Sequence, residues 1–114
     1  MRGIGHVAGC IVRAVETLAA GGWTGLAVIV EDIAVEEWTS ATFEGYRHRL
    51  QMRLEGSADL VGAATARIVS GLAEMDIPLS GQFVADIAVT VAPLVSDATG
   101  TRQVMIVDAL TLFD

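Results

Sequence analysis

The sequence Val30-Glu31-Asp32-Ile33-Ala34-Val35 recurs almost unchanged later in the chain, as Val84-Ala85-Asp86-Ile87-Ala88-Val89. Each copy follows an apolar segment of helical character, and each is followed, after a polar loop, by a second strand-like run. The chain is therefore organised as helix–strand–strand twice over. An ancient duplication and convergence between two Val/Ile/Ala-rich strands both account for the repeat. Either origin predicts one α+β domain over residues 1–114, with a mostly antiparallel four-stranded sheet and two helices on one face.

The composition contains more apolar residues than one small core usually buries. Of the 114 residues, 53% are hydrophobic and 18% are charged, against about 45–50% and about 25% in an ordinary soluble domain. A chain of this length forms a single core. Assembly with other copies is the simplest way to bury the remaining apolar surface.

The charge balance excludes several classes of partner. The net charge is −7, the pI is about 4.6, and all seven basic residues are Arg. Such a chain lacks the positive surface of a nucleic-acid-binding protein, and an anionic membrane would repel it. The single cysteine, Cys10, excludes an internal disulfide and fits a reducing compartment. Val7-Ala8-Gly9-Cys10 has the form of a lipoprotein cleavage box, but only nine residues precede the cysteine and His6 interrupts them. We therefore expect a soluble protein without a lipid anchor.

Two segments have the periodicity of amphipathic helices. The first covers residues 6–20, and Gly21-Gly22 is expected to end it. Its apolar stripe comprises Val7, Ile11, Val15 and Leu18. The second begins at the N-cap residue Ser57 and ends before Pro78. Its stripe comprises Leu60, Ala64, Ile68, Leu72 and Met75.

Four further segments are predicted to be strands. The continuous β-branched run at residues 26–30 is typical of a strand buried on both faces. Residues 46–54 alternate strictly and are expected to form a hairpin with the strand before them. Their core face comprises Tyr46, His48, Leu50, Met52 and Leu54, and their other face comprises Arg47, Arg49, Gln51 and Arg53. Residues 82–91 and 102–112 are largely apolar on both faces and are joined by a loop, so one of their faces is available for a neighbouring subunit.

No residue pattern indicates an active site, a metal or a cofactor. The HxH, HExxH, CxxC and GxSxG spacings are absent. His48 lies on an apolar strand face, which favours a hydrogen-bonded core or interface histidine over a catalytic base. The pairs Glu31-Asp32 and Glu36-Glu37 are expected to point to opposite faces of their strand and to form an acidic rim. Asp86 and Asp108 lie in apolar strands and need Arg partners, most simply across an interface.

Three motifs follow one another in the first half of the chain. They are Ala27-Val28-Ile29-Val30-Glu31-Asp32, Glu37-Trp38-Thr39 and Gly45-Tyr46-Arg47-His48-Arg49-Leu50. In this order they resemble the tail-terminator, or tail-completion, proteins of long-tailed bacteriophages and of gene transfer agents. Leu79-Ser80-Gly81 is similar to the family's turn into its last two strands. The family's longer segment between the first helix and the first strand is missing, because Ala20 and Trp23 are joined only by Gly21-Gly22.

The resemblance implies a structural protein of the virion tail, assembled in the bacterial cytoplasm, with no catalytic activity and no cofactor. It implies a hexameric ring that caps the finished tail tube, contacts the tail tube protein and joins the head-closure (connector) protein. We expect the acidic residues and arginines to meet within or between subunits. The candidate interface comprises Glu31, Asp32, Glu36, Glu37, Trp38, Arg47, Arg49 and Arg53. The alternative is a small homo-oligomeric α+β enzyme or binding module with an inter-subunit pocket near His48 and Asp86.

Overall fold

The computed structural model describes residues 2–20 and 25–114, with side chains for residues 6–19 and from residue 25 onward. Within these ranges the chain forms two α-helices and five β-strands, which confirms the α+β class. The elements are α1 (Arg2–Ala20), β1 (Ala27–Thr39), β2 (Glu44–Gly56), α2 (Ala58–Gly71), β3 (Gln82–Val91), β4 (Val95–Asp97) and β5 (Gly100–Phe113). A short 3₁₀ turn, Leu72–Glu74, extends α2. The predicted end of the first helix at Gly21-Gly22 lies outside the described residues.

All strand pairs are antiparallel, in the order β1-β2-β5-β3, and the short β4 pairs with the start of β5. The prediction of four strands was therefore wrong by one. Residues 95–97 had the composition of a loop, but they form a hairpin with β5. Asp97 closes its turn by accepting a hydrogen bond from the Thr99 backbone N–H at 2.9 Å. Gly100 supplies a φ of 133°, which favours glycine.

The repeated sequence forms the two edge strands of this sheet. β1 has a bulge between Val30 and Asp32, and β3 has one between Val84 and Asp86. The irregularity therefore falls at the same position of the repeat in both copies. The second strands of the two halves, β2 and β5, pair in the centre. The halves thus match in topology as well as in sequence.

Both helices pack against one face of the sheet, as predicted. The alternation of β2 is confirmed, because His48, Leu50, Met52 and Leu54 are fully buried on this face. The core also contains alternate residues of β5 and most of the predicted helix stripes; of those stripes, Leu18, Leu60 and Met75 are only partly buried. Its largest members are Val7, Ile11, Val15, Val61, Ile68, Leu72, Met105 and Val107. The opposite face is called the open face below; it carries Arg47, Arg49, Gln51 and Arg53 of β2 and Val104, Ile106, Asp108 and Leu110 of β5.

The prediction that the first strand is buried on both faces is wrong. β1 lies at the edge of the sheet beside β2. Val30 and Ile33 point to the helix side, yet they are 38% and 46% exposed. A continuous apolar run does not distinguish a central strand from an edge strand.

Side chains satisfy the backbone groups at two helix ends. The predicted N-cap is confirmed, because Ser57 Oγ accepts a hydrogen bond from the Leu60 N–H at 3.2 Å. Arg67 of α2 donates through Nε to the Leu18 carbonyl and through Nη2 to the Ala19 carbonyl, both at 2.7 Å. These are terminal carbonyls of α1, which have no partner inside their own helix. Neither described helix is both long and apolar enough to cross a membrane.

Candidate assembly interface

The open face carries a stripe of arginines between two different strands. Arg47, Arg49 and Arg53 of β2 stand in register with Glu36, Ala34 and Ile29 of β1. On the other side of the stripe, β5 contributes Arg102, Val104, Ile106, Asp108 and Leu110. The arginines are therefore flanked by an acidic edge strand and by a mainly apolar central strand.

Arg53 is the centre of an ion-pair cluster. Its Nη1 pairs with Glu31, and its Nε lies 2.7 Å from Glu55 Oε2 at an angle that forms no hydrogen bond. Gln51 donates through Nε2 to Glu31 Oε1 at 3.1 Å. The bulge at Glu31 brings this carboxylate to the face that Asp32 also occupies, in register with Gln51. The prediction that these two neighbouring acids point to opposite faces is wrong, because the extra residue of a bulge interrupts the alternation of the strand.

Arg49 forms its ion pair with β5. Its Nε lies 3.0 Å from Asp108 Oδ1, and the two side chains are 66% and 30% exposed. The prediction of an Arg partner for Asp108 is confirmed, but the partner lies in the same chain, whereas Asp86 is exposed and forms no ion pair within the described residues. The acid that Arg49 contacts lies in β5, because the residue of β1 in register with Arg49 is Ala34. An exposed pair of this kind stabilises a fold by about 0–1 kcal/mol, so its main effect is to fix the position of the two charges.

An open depression of about 490 Å³ lies in the middle of this face. It is lined by Ala34, Glu36, Arg47, Arg49, Asp86, Ala88, Asp108 and Leu110. Glu36 and Arg47 are in register, and Asp86 follows on the far side of Leu110. In the described part of the chain, no ion pair joins Arg47 to either acid. These three charges are therefore solvated in the single chain and can pair with groups of another molecule.

His48 and Asp86 lie on opposite faces of the sheet, so the alternative of one pocket near both residues is wrong. His48 is fully buried against the helices, whereas Asp86 is exposed on the open face. Burial lowers the pKa of His48 below its usual 6.5, because the charged ring would lose its hydration. Among the described residues, no group of three His, Cys, Asp or Glu side chains is placed to hold a metal ion.

The remaining predicted residues lie at the far end of β1. Glu37 points to the helix side of the sheet and is separated from the arginine stripe. Trp38 is half-buried on the open face, in register with Gly45 of β2. The same row continues through Leu112 of β5 to the exposed Phe83 of β3. Phe83 was not predicted as an interface residue. It lies in a strand that is apolar on both faces, so the sequence does not show which of the two faces is exposed.

The fold is similar to that of a chain in the virion of a native gene transfer agent (GTA) particle. The TM-score is 0.63, the similarity covers 91% of this chain and 90% of that chain, and 19% of residues are identical. The two chains therefore share one fold over nearly their full lengths. No family model and no curated protein matches the sequence.

Proposed function

We propose that the chain is a structural virion protein of the tail-terminator type. The observation that carries the proposal is the nearly end-to-end similarity in fold to a chain of a GTA virion. The motifs that resemble tail terminators add to it, because they occupy β1, the end of β1 and β2. They therefore belong to one long β-hairpin that forms half of the open face.

In the proposed assembly, six copies form a ring at the head-proximal end of the tail. One side of the ring contacts the tail tube protein, and the other contacts the head-closure protein. The open face and the acidic edge strand supply the contacts between copies. Glu36, Arg47 and Asp86 are available for this pairing, because no ion pair engages them within the described part of the chain. The proposed contact residues remain Glu31, Asp32, Glu36, Glu37, Trp38, Arg47, Arg49 and Arg53.

The proposed role requires neither catalysis nor a cofactor. Of the two residues of the alternative site, Asp86 is exposed on the open face and His48 lies on the other side of the sheet. His48 is fully buried in the core and hydrogen-bonded to Thr111. Arg49 and Arg53 are already paired with carboxylates of the same chain. This arrangement suits a role in which the charges position subunits.

Native mass spectrometry of the purified protein tests the ring. The chain mass is 11.9 kDa, and we expect a six-fold multiple of it. Cryo-electron microscopy of particles from a producing host then tests the position, which we expect at the junction of head and tail. A strict monomer at all concentrations, or a location away from that junction, would contradict the proposal.

A further inference from the structure

The two outer strands of the sheet are open to further pairing. In the described residues, β1 pairs with β2 alone and β3 with β5 alone. Natural proteins protect edge strands with charged side chains, Pro, β-bulges or a covering element. β1 has a bulge and four acidic residues, but it contains no Pro, and it leaves Val30 and Ile33 exposed beside its free edge. Such an edge is suited to continue a sheet into another chain.

The charges of β1 disfavour pairing between two copies of this same strand. β1 carries Glu31, Asp32, Glu36 and Glu37 and no basic residue. Two such strands side by side would place like charges opposite each other, which is destabilising. β3 carries a single charge, Asp86. The acidic β1 strand of one copy is therefore repelled less by β3 of a second copy than by its β1.

The strand directions favour the same choice. Each strand is antiparallel to its neighbour in the order β1-β2-β5-β3, so β1 and β3 run in opposite directions. A copy rotated about an axis parallel to the strands therefore brings its β1 antiparallel to β3 of the first copy. This contact joins two different surfaces, and repetition of such a contact closes into a ring when the rotation allows it.

The apolar side chains of the two edges match at the same height of the sheet, whereas Glu36 and Asp86 share one level on the open face, the level of Arg47. Beyond the bulges, residues 32–36 of β1 and 86–90 of β3 are both level with residues 47–51 of β2. Ile33 is in register with Leu50 of β2, Leu50 is in register with Val107 of β5, and Val107 is in register with Val89. Ile33 and Val89 therefore lie at the same level on the helix side of the sheet. Continuation of the sheet would place these two apolar side chains together and cover the exposed part of Ile33.

We propose that β1 of one copy pairs antiparallel with β3 of the next, so that the subunits of the ring share one continuous sheet. This inference rests on the proposed ring and specifies its subunit contact. The pairing uses residues 32–36 and 86–90, with Ile33 and Val89 in contact across the boundary.

Two variants test the proposal, and each blocks one of the two edge strands. The test does not require the exact register between β1 and β3 of neighbouring copies. Ile33→Lys places a charge at the β1 edge, and Val89→Lys places one at the β3 edge, where its aliphatic stem still covers the core. Val69→Lys is the matched control, because Val69 is 51% exposed on α2, away from both edges. Circular dichroism melts verify folding, and Ile87→Lys, within the same pairing and on the same face, replaces Val89→Lys if the latter unfolds. Native mass spectrometry measures the mass of the assembly that each variant forms, and of the assembly formed in a 1:1 mixture of the two edge variants.

The expected result is a single chain mass for each edge variant and the wild-type mass for Val69→Lys. The mixture should form a dimer of one copy of each variant, because one intact β1 edge and one intact β3 edge remain. Edge variants that keep the wild-type ring, a mixture that stays monomeric, or Val89→Lys dimerising alone would each overturn the β1–β3 contact. A ring that survives both edge substitutions would leave the proposed function standing, whereas a monomeric wild type would remove the ring itself.

Discussion

The His48 Nε2 atom lies 2.9 Å from the Thr111 hydroxyl oxygen, inside an otherwise apolar core. The Thr111 hydroxyl donates to Gln82 Oε1 at 2.8 Å, so its oxygen is left to accept a hydrogen bond from the imidazole. The imidazole therefore carries a proton on Nε2, and burial, which lowers the pKa of His48, favours the neutral ring. Its Nδ1 is buried and has no partner in the described part of the chain. This network joins β2, β5 and β3 across the centre of the sheet.

Replacement of Thr111 by Val should destabilise the fold by about 1–3 kcal/mol. Val retains the shape of the side chain but leaves the His48 N–H and the Gln82 carbonyl unpaired in the core. Urea denaturation at pH 8, where the ring is neutral in both states, measures the change. Thr90→Val on the exposed side of β3 is the control and should be nearly neutral. Equal stability of Thr111→Val and wild type would show that the network contributes nothing.

The buried imidazole should make the fold less stable in mild acid. The pKa of His48 is lowered in the folded chain from 6.5. Below pH 6.5 the unfolded chain therefore binds a proton that the folded chain does not, and stability falls as the pH decreases toward the folded pKa. The contribution of one proton to the slope has an upper limit of about 1.4 kcal/mol per pH unit, and it should vanish well above pH 6.5. Denaturation of His48→Gln between pH 5 and 8 should show a flatter profile than that of the wild type, and an equal slope would contradict this account.

The strict alternation of residues 46–54 made β2 predictable, because a shift of one residue would move His48, Leu50 and Met52 out of the core. The N-cap at Ser57 was predictable for a similar reason, since its side chain acts only on its own helix. The edge position of β1 was not predictable. It depends on which strands become neighbours, and an apolar run carries the same signal wherever the strand lies in the sheet.

The candidate site shows the same division between local and non-local information. Period two placed Arg47, Arg49 and Arg53 on one face correctly. Their partners depend on register and bulges, so Arg49 contacts Asp108 of β5, and Glu31 reaches Arg53 only because of the bulge. The bulges of β1 and β3 lie at the same position of the repeated sequence. This repeat was the one feature of the sequence that could have indicated the bulges.

Gly45 should tolerate no side chain, because its backbone lies very close to β5. A Cβ atom at this position would lie 1.8 Å from the Thr111 carbonyl oxygen and 2.8 Å from its carbonyl carbon. Gly45→Ala should therefore cost at least the ~1–3 kcal/mol typical of overpacking. Gly62 provides the control, since a Cβ there meets nothing within 4 Å. Gly62→Ala should stabilise α2 by about 0.8–1 kcal/mol. Thermal melts that ranked the two variants in the opposite order would contradict this account.

Arg67 should stabilise the packing of α2 against the end of α1. Its guanidinium donates two hydrogen bonds to carbonyls of Leu18 and Ala19, and bonds from charged donors are worth about 1.5–3 kcal/mol. Arg67→Ala should lose stability in this range. Arg67→Lys should recover only part of it, because an ammonium group lacks the planar fork that spans two acceptors. Arg13→Ala on the exposed side of α1 is the control, and denaturant titration measures all three variants.

Reversal of the Arg47 charge should weaken assembly without weakening the fold. Arg47 lies between Glu36 and Asp86 on the open face, and its substitution by Glu would leave these two acids beside a third negative charge, with Arg49 already paired with Asp108. The stability of the single chain should change by less than about 1 kcal/mol, because the site is exposed. Native mass spectrometry should show a smaller fraction of rings for Arg47→Glu, partly restored by salt, which screens repulsion between copies. Arg13→Glu makes the same change in net charge on α1 and should assemble as wild type does. If Arg47→Glu assembled with the wild-type mass and salt dependence, the charges of the open face would have no part in the contact between subunits.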